Sequence, residues 1–260
     1  MKKRTIGLGI LLLAAMLFLS GCFTIRSSVR ERVKVHLSGP HTTVTAEAKT
    51  AADAYSLSVN GLVFLAEGDV TLTVKPAEGN PRVEVDCAEA LVKEHDLKVE
   101  ITGDKITVKT DEFRTFLTDS FHVTVYAPCE YIYVEGDYQV DVDAADVSRF
   151  GLKVAGAAKG EIKNIAAQKT VLEADGAVKL SLSGASDAFT CTLNGAGDVE
   201  AKALQAKDVK LTINGAGTIE TTALEKMDAQ INGTGSIRYY GKPADVSQQI
   251  NGMGTIRAGE

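Results

Sequence analysis

The chain has 260 residues, 45% of them hydrophobic, with no Trp, four cysteines and a formal net charge of −6. That is enough apolar material for a sizeable core, while the acidic sign speaks against a nucleic-acid grip or adsorption to an anionic bilayer, both of which need a basic surface. No C-x-x-C spacing occurs, so neither a metal site nor any other cofactor is expected.

Lys2, Lys3 and Arg4 precede an apolar run from Ile6 to Leu19, followed by Ser20-Gly21-Cys22. A basic start, a short apolar stretch and small residues before a cut read as a secretory signal over residues 1–21. The run is shorter than the roughly 20 residues of a comfortable membrane span. Leu19-Ser20-Gly21-Cys22 also resembles a bacterial lipobox, in which the Cys is acylated and becomes the mature N-terminus. Cys22 is therefore the expected lipidation site, with palmitate among its acyl chains, and each buried CH₂ adds about 0.8 kcal/mol of anchoring. Loss of Lys2, Lys3 and Arg4 with the signal takes the net charge from −6 to −9. Residues 22–32 read as a lipidated tether; its basic cluster (Arg26, Arg30, Arg32, with Lys34 just beyond) is a solvated link. The expected location is the cell envelope, facing away from the cytoplasm and close to a membrane.

Residues 33–127 are strand-rich without a period and read as a β-rich cap. Asp69 to Val74 alternates cleanly, with Val70, Leu72 and Val74 on one face. A loop from Pro76 to Pro81 leads to a strand at Arg82–Cys87, and Ala88–His95 carries the helix formers of one short helix. Leu97–Ile101 and Ile106–Val108 predict a hairpin around Gly103-Asp104, Thr110–Ser120 reads as a loop, and Phe121–Tyr126 as a strand. Such a cap would cover a sheet edge that otherwise invites pairing. Cys87 and Cys129 could pair in an oxidising compartment, whereas Cys191 sits in an apolar row as a small buried hydrophobe.

From residue 128 to 260 the chain repeats itself. Leu193-Asn194-Gly195-Ala196-Gly197, Ile213-Asn214-Gly215-Ala216-Gly217, Ile231-Asn232-Gly233-Thr234-Gly235 and Ile250-Asn251-Gly252-Met253-Gly254 are near-copies. The glycines after Asn step by 20, 18 and 19, and Gly176, Gly156 and Gly136 extend the series backwards at 19, 20 and 20. Apolar residues alternate before each mark (Val209, Leu211, Ile213) and after it (Ile219, Thr221, Ala223), the period of a strand with one buried face. Asn-Gly ordinarily announces a tight hairpin. Here each unit matches the next in register, so stacked copies bury the face that no single copy can bury. The predicted fold is all-β: a single-stranded parallel, right-handed β-solenoid of about seven coils, with the β-rich cap and its one short helix at the N-terminal end.

The Val-Thr-Leu-Thr-Val strand, the Glu-Gly-Asn turn, Val-Glu-Val-Asp, the short helix, Leu-Lys-Val-Glu-Ile and the serial (Leu/Ile)-Asn-Gly-Ala-Gly-(Asp/Thr)-(Val/Ile) units together resemble the head GIN domain family of putative auto-transporter adhesins. The likeness spans about residues 35–258; the family's repeats commonly carry Ser where this chain has Asn, and its marks at Glu135-Gly136, Ala155-Gly156 and Asp175-Gly176 are degenerate. The resemblance implies a β-solenoid on the bacterial envelope and brings no catalytic residue with it.

Catalysis is not expected. Parallel β-helices do host polysaccharide lyases and hydrolases, but such sites need converging acids and bases with aromatic platforms for sugar rings. His36, His41, His95 and His122 all lie outside the repeats, and Asp198, Glu200 and Glu220 alternate with inward apolar residues as a solvated face. After the marks stand Asp198, Thr218, Ser236 and Thr255, so no acidic ladder for calcium forms. Two constellations remain. Asn194, Gly195, Asn214, Gly215, Asn232, Gly233, Asn251 and Gly252 form a ladder of turn residues. Tyr126, Tyr131, Tyr133 and Tyr138 cluster near the first coil, with Tyr131 and Tyr133 pointing outward together as a possible recognition patch. The expected partners are a membrane, through the lipid, and a protein or glycan of the envelope or of a host surface. The alternatives are a self-assembling envelope component that pairs through the C-terminal coil edge (Ile250–Ile256) and, less in keeping with the residues, a carbohydrate-active β-helix enzyme.

Overall fold

The structure, a computed structural model, describes residues 34–37, 39–64 and 69–260; the expected signal, Cys22 and the expected tether lie outside them. The elements in chain order are β1 (Lys34–Leu37), β2 (His41–Glu47), β3 (Tyr55–Phe64), β4 (Asp69–Lys75), β5 (Arg82–Ala88), α1 (Glu89–Lys93), β6 (Lys98–Thr102), β7 (Lys105–Thr118) and β8 (Ser120–Tyr126). They continue with β9 (Cys129–Asp143), β10 (Arg149–Ala174), β11 (Ala177–Leu193), β12 (Ala196–Ile213), β13 (Ala216–Ile231), β14 (Thr234–Tyr240), β15 (Asp245–Ile250) and β16 (Met253–Ala258).

Every pairing among β9–β16 is parallel, so the Asn-Gly marks do not close hairpins. The register carries each repeat onto the next: Leu193 lies opposite Ile213, and Ile213 opposite Ile231. The alternating rows become inward columns. Val140, Gly160, Leu180, Val199, Ile219, Ile237 and Ile256 follow one another across the turns, and Val199, Ile219 and Ile237 are almost fully buried. This is the mutual burial that a single coil cannot achieve. The turn backbones are bonded between coils as well: Asn214 N–H donates to Leu193 O at 2.8 Å and Ala216 N–H to Gly195 O at 2.9 Å. The coil-to-coil hydrogen bonding thus continues through these exposed turns.

The glycine marks stack directly. A Cβ built on Gly156, Gly176, Gly195, Gly215, Gly233 or Gly252 would collide with the carbonyl oxygen of the preceding mark, so only glycine lets the corners approach to sheet distance. The three degenerate marks thus belong to the same column as the four Asn-Gly marks. The solenoid makes about six turns rather than the expected seven. The second glycines of the later motifs stack likewise, a Cβ on Gly217 or Gly235 colliding with the carbonyl oxygen of Gly197 or Gly217, and they also border the core. Gly235 faces inward, and a Cβ there would stand 3.2 Å from Ile213 Cδ1. That column is filled by side chains in the earlier turns, at Tyr138, Ala158 and Val178.

The first half contains more of the same stack, in a different order. β3 lies parallel between β7 and β9, and β4 parallel between β8 and β9. Residues 105–126 and 55–75 are therefore coils ahead of β9, stacked opposite to their order in the sequence. The outer edge of β7–β8 is covered by β6 and β5 in antiparallel pairing and by β1 in parallel pairing, and β2 adds to β5. The Gly103-Asp104 hairpin is present, with Thr102 opposite Lys105. The short helix is Glu89–Lys93, docked through fully buried Leu91 and carrying an i,i+4 ion pair between Lys93 and Glu89 at 2.6 Å. The loop expected at Thr110–Ser120 is instead strand: β7 runs through to Thr118, pairs with β3 and β1, and buries Phe116 against the edge of His95. Among the described residues, no helix is long and apolar enough to cross a membrane.

Candidate functional site

The asparagine marks form a continuous amide ladder along one corner. Asn251 Nδ2 donates to Asn232 Oδ1 at 2.8 Å, Asn232 to Asn214 and Asn214 to Asn194 at 2.7 Å each, and Asn194 to Asp175 Oδ1 at 2.7 Å. Gln230 and Gln249 donate into the ladder from the side, at 2.8 and 3.2 Å. At its head, Lys153 Nζ reaches Glu173 at 3.2 Å and Asp175 at 3.4 Å. The bond from Asn194, aided by the charge of Lys153, holds the Asp175 carboxyl below its ordinary range against a smaller opposing effect of burial. These side chains satisfy one another, and the corner serves the scaffold.

The tyrosine face differs. Of the four tyrosines grouped by sequence, only Tyr131 and Tyr133 share the outer face of β9. Tyr138 points into the core, where burial raises its pKa. Tyr126 sits on β8, with the Arg82 guanidinium 3.7 Å from its ring centre. Tyr133 is half-buried opposite Lys153, its hydroxyl pKa raised by burial and by the nearby Glu135. Tyr131 is 42% exposed, and the residue opposite it in the next coil is Gly151. A Cβ on Gly151 would stand 3.0 Å from Tyr131 Cδ2, so the ring lies against bare backbone with its other side open to solvent.

A groove of about 330 Å³ opens there. Its middle is formed by Tyr131, Gly151 and, one repeat on, Val171; Lys153 and Glu173 flank it toward the corner, and Arg149 and Lys169 flank it on the other side with Glu130 nearby. Lys153 is occupied by Glu173 and Asp175, and the bond to Glu173 raises its pKa. Arg149 and Lys169 are exposed, and among the described residues no carboxylate lies within ion-pair distance of either. They stand one repeat apart, 20 residues, as do Gly151 and Val171. That spacing is the signal the sequence carries for Arg149, Gly151 and Lys169, none of which belongs to the aromatic cluster or to the Asn-Gly marks.

The histidines at 41 and 122 and the three described cysteines are occupied or buried. His41 pairs with Asp86 at 3.2 Å, and His122 Nδ1 bonds Thr71 Oγ1 at 2.8 Å. Cys87, Cys129 and Cys191 are free buried thiols, pushed by burial up to about 11, 12 and 12. Among the described residues, no group of three or more His, Cys, Asp or Glu is arranged to hold a metal ion. Cys22 lies outside the described residues.

These features define a parallel β-solenoid whose coil face carries an open groove beside Tyr131. Residues 63–243 match the family described as "putative auto-transporter adhesin, head GIN domain", and the chain belongs to that family. Among solved structures it is similar to a putative adhesin from Bacteroides fragilis, at 19% identity and a TM-score of 0.69, over 86% of this chain and 99% of that one. It is also similar to two proteins of Parabacteroides distasonis. One, described as a putative lipid binding protein, has 17% identity and a TM-score of 0.60 over 88% and 100% of the two chains. The other, described as a putative adhesin, has 18% identity and a TM-score of 0.56 over 87% and 100%. At these identities the likeness is one of fold. Among curated proteins, none matches this sequence.

Proposed function

We propose that this protein is a bacterial envelope lipoprotein, acylated at Cys22, that holds a rigid solenoid near a membrane as a non-catalytic adhesion surface. The lipobox, the basic flank of the signal and the adhesin description of the family all favour this reading. The observation that carries it is the Tyr131 ring, exposed over Gly151 beside two cations that no carboxylate among the described residues engages. Exposed aromatic area on rigid backbone is what recognition surfaces use, since little conformational freedom is lost on contact. The solenoid fixes that geometry on strands rather than on a loop.

Two experiments test the reading. Replacing Cys22 with Ser should abolish incorporation of labelled palmitate and move the protein out of the membrane fraction; continued labelling at another residue would contradict the anchor. The body from residue 23 onward, immobilised, should capture envelope or host-cell material, and Tyr131→Ala should weaken capture about tenfold, the scale of one truncated interface anchor. Capture unaffected by that change would remove the groove from the account. Product release from glycans would revive an enzymatic reading.

A second reading rests on the last coil, where Val246, Ile250 and Met253 are exposed, Met253 at 77%. β15 and β16 there present a flat strand edge with one charge each, Asp245 and Arg257, a pattern that favours edge pairing between copies. Concentration-dependent association abolished by Ile250→Asp would support self-assembly.

A further inference from the structure

We propose that the Tyr131 groove takes an acidic sugar, a pyranose ring bearing a carboxylate, with the ring face on Tyr131 and the carboxylate between Arg149 and Lys169. The inference rests on the reading of this groove as the contact surface and names the chemistry it contacts.

Three features on the page select that class. First, the Tyr131 ring lies against the bare backbone of Gly151 and is 42% exposed; an exposed aromatic ring on a strand binds the apolar C–H face of a sugar ring. Second, the groove joins this platform to a guanidinium and an ammonium. Lys153 is already engaged by Glu173 and Asp175, so the unspent positive charge lies on the Arg149–Lys169 side. A planar guanidinium pairs with a carboxylate through two parallel hydrogen bonds, and the ammonium adds a point charge. Third, Glu130 on the same rim is an acceptor placed for sugar hydroxyls, a group that neither a phosphate nor an isolated carboxylate would need. A volume of about 330 Å³ is at the small end of ligand sites, suited to a terminal sugar rather than to a folded segment.

Electrostatics at longer range sharpen the choice. The chain is acidic overall, at −6 with its signal and −9 without it. A polyanion would meet that field along its whole length, whereas a single carboxylate seated between two cations meets it screened beyond roughly 10 Å. The geometry therefore favours a discrete acidic residue at the end of a glycan over nucleic acid or an anionic bilayer.

The test uses the body from residue 23 onward in a calorimetric or chemical-shift titration. The probes are a glucuronic-acid-terminated trisaccharide, the methyl ester of that trisaccharide, and 3′-sialyllactose with lactose as its neutral partner. At least one acid is expected to bind about tenfold or more tightly than its neutral partner, the fold change that a charge-assisted hydrogen bond supports. Arg149→Ala and Lys169→Ala should each weaken the acid more than its neutral partner and so erase that preference. Tyr131→Ala should weaken both members of the pair, and Tyr131→Phe should restore them. Equal affinity for acid and neutral probes, or a preference that survives loss of both cations, overturns the proposal. Inorganic phosphate or phosphatidylglycerol vesicles binding as tightly, independently of Tyr131, would overturn it by assigning the cations to a phosphate or to a lipid headgroup. If cells are captured through Tyr131 but no sugar binds, the contact-surface reading stands and the acidic sugar falls. If no cell material is captured and no sugar binds, both fall.

Discussion

The asparagine corner runs through the turns that follow β10 to β13 and β15, and the tyrosine face lies on β9 and β10 of the same solenoid, yet the two use polar groups in opposite ways. At the corner each amide donates to the one before it, down to Asp175, and nothing is left over for a partner. On the face, Arg149 and Lys169 stand beside an exposed aromatic ring without an ion-pair partner among the described residues. A repeated residue in a solenoid is therefore not a functional one by virtue of repetition. Repetition marks what neighbouring coils need from each other, and function is sought where the column is broken, as at Tyr131–Gly151–Val171.

Substitutions should separate the two regions. The largest effect is expected at Gly215→Val. Its Cβ would strike the Gly195 carbonyl, which is backbone and cannot swing aside, so about 4 kcal/mol or more of stability should be lost in urea unfolding. Next, Ile213→Ala, fully buried between Leu193 and Ile231, should lose about 2–5 kcal/mol in the same measurement. Asn214→Ala removes two ladder bonds at an exposed corner and should lose about 1 kcal/mol, while binding at the groove stays as it was. Tyr131→Ala should do the reverse, changing stability by less than about 0.5 kcal/mol, as for other surface positions, and weakening capture.

The smallest effect is the pH dependence at Asp175. Its folded pKa lies below its ordinary 3.8, so it favours folding above that value, and the contribution is lost as pH falls through the lower, folded value. The carboxylate is solvent-exposed, so after screening the contribution is about 0.5 kcal/mol or less. Asp175→Asn should flatten the stability difference between about pH 6 and about pH 3 by that amount, and a steeper acid loss in the variant would contradict the ladder's electrostatics.

Much of the fold was legible because it is written twice over, in alternation and in spacing. The run of seven glycine marks and the rows around them predict parallel coils, and the register confirms them residue by residue. The coils at 55–75 and 105–126 were not legible, since no period links them to the marks and their spatial order reverses their sequence order. Thr110–Thr118 read as a loop because Asp111, Glu112 and Arg114 hide the alternation; the backbone nonetheless pairs on both sides. Tyr131 was legible as an outward aromatic, but the platform beneath it was not. Gly151 lacks the Asn-Gly signature, and its role appears only when coils are laid in register.

The most direct measurement is capture of cell-surface material by the Asn214→Ala and Tyr131→Ala proteins side by side, with the unfolding midpoint of each determined in parallel. The account predicts a crossed result: the corner variant less stable with capture intact, the face variant equally stable with capture weakened about tenfold. Capture lost in the corner variant and kept in the face variant would contradict it.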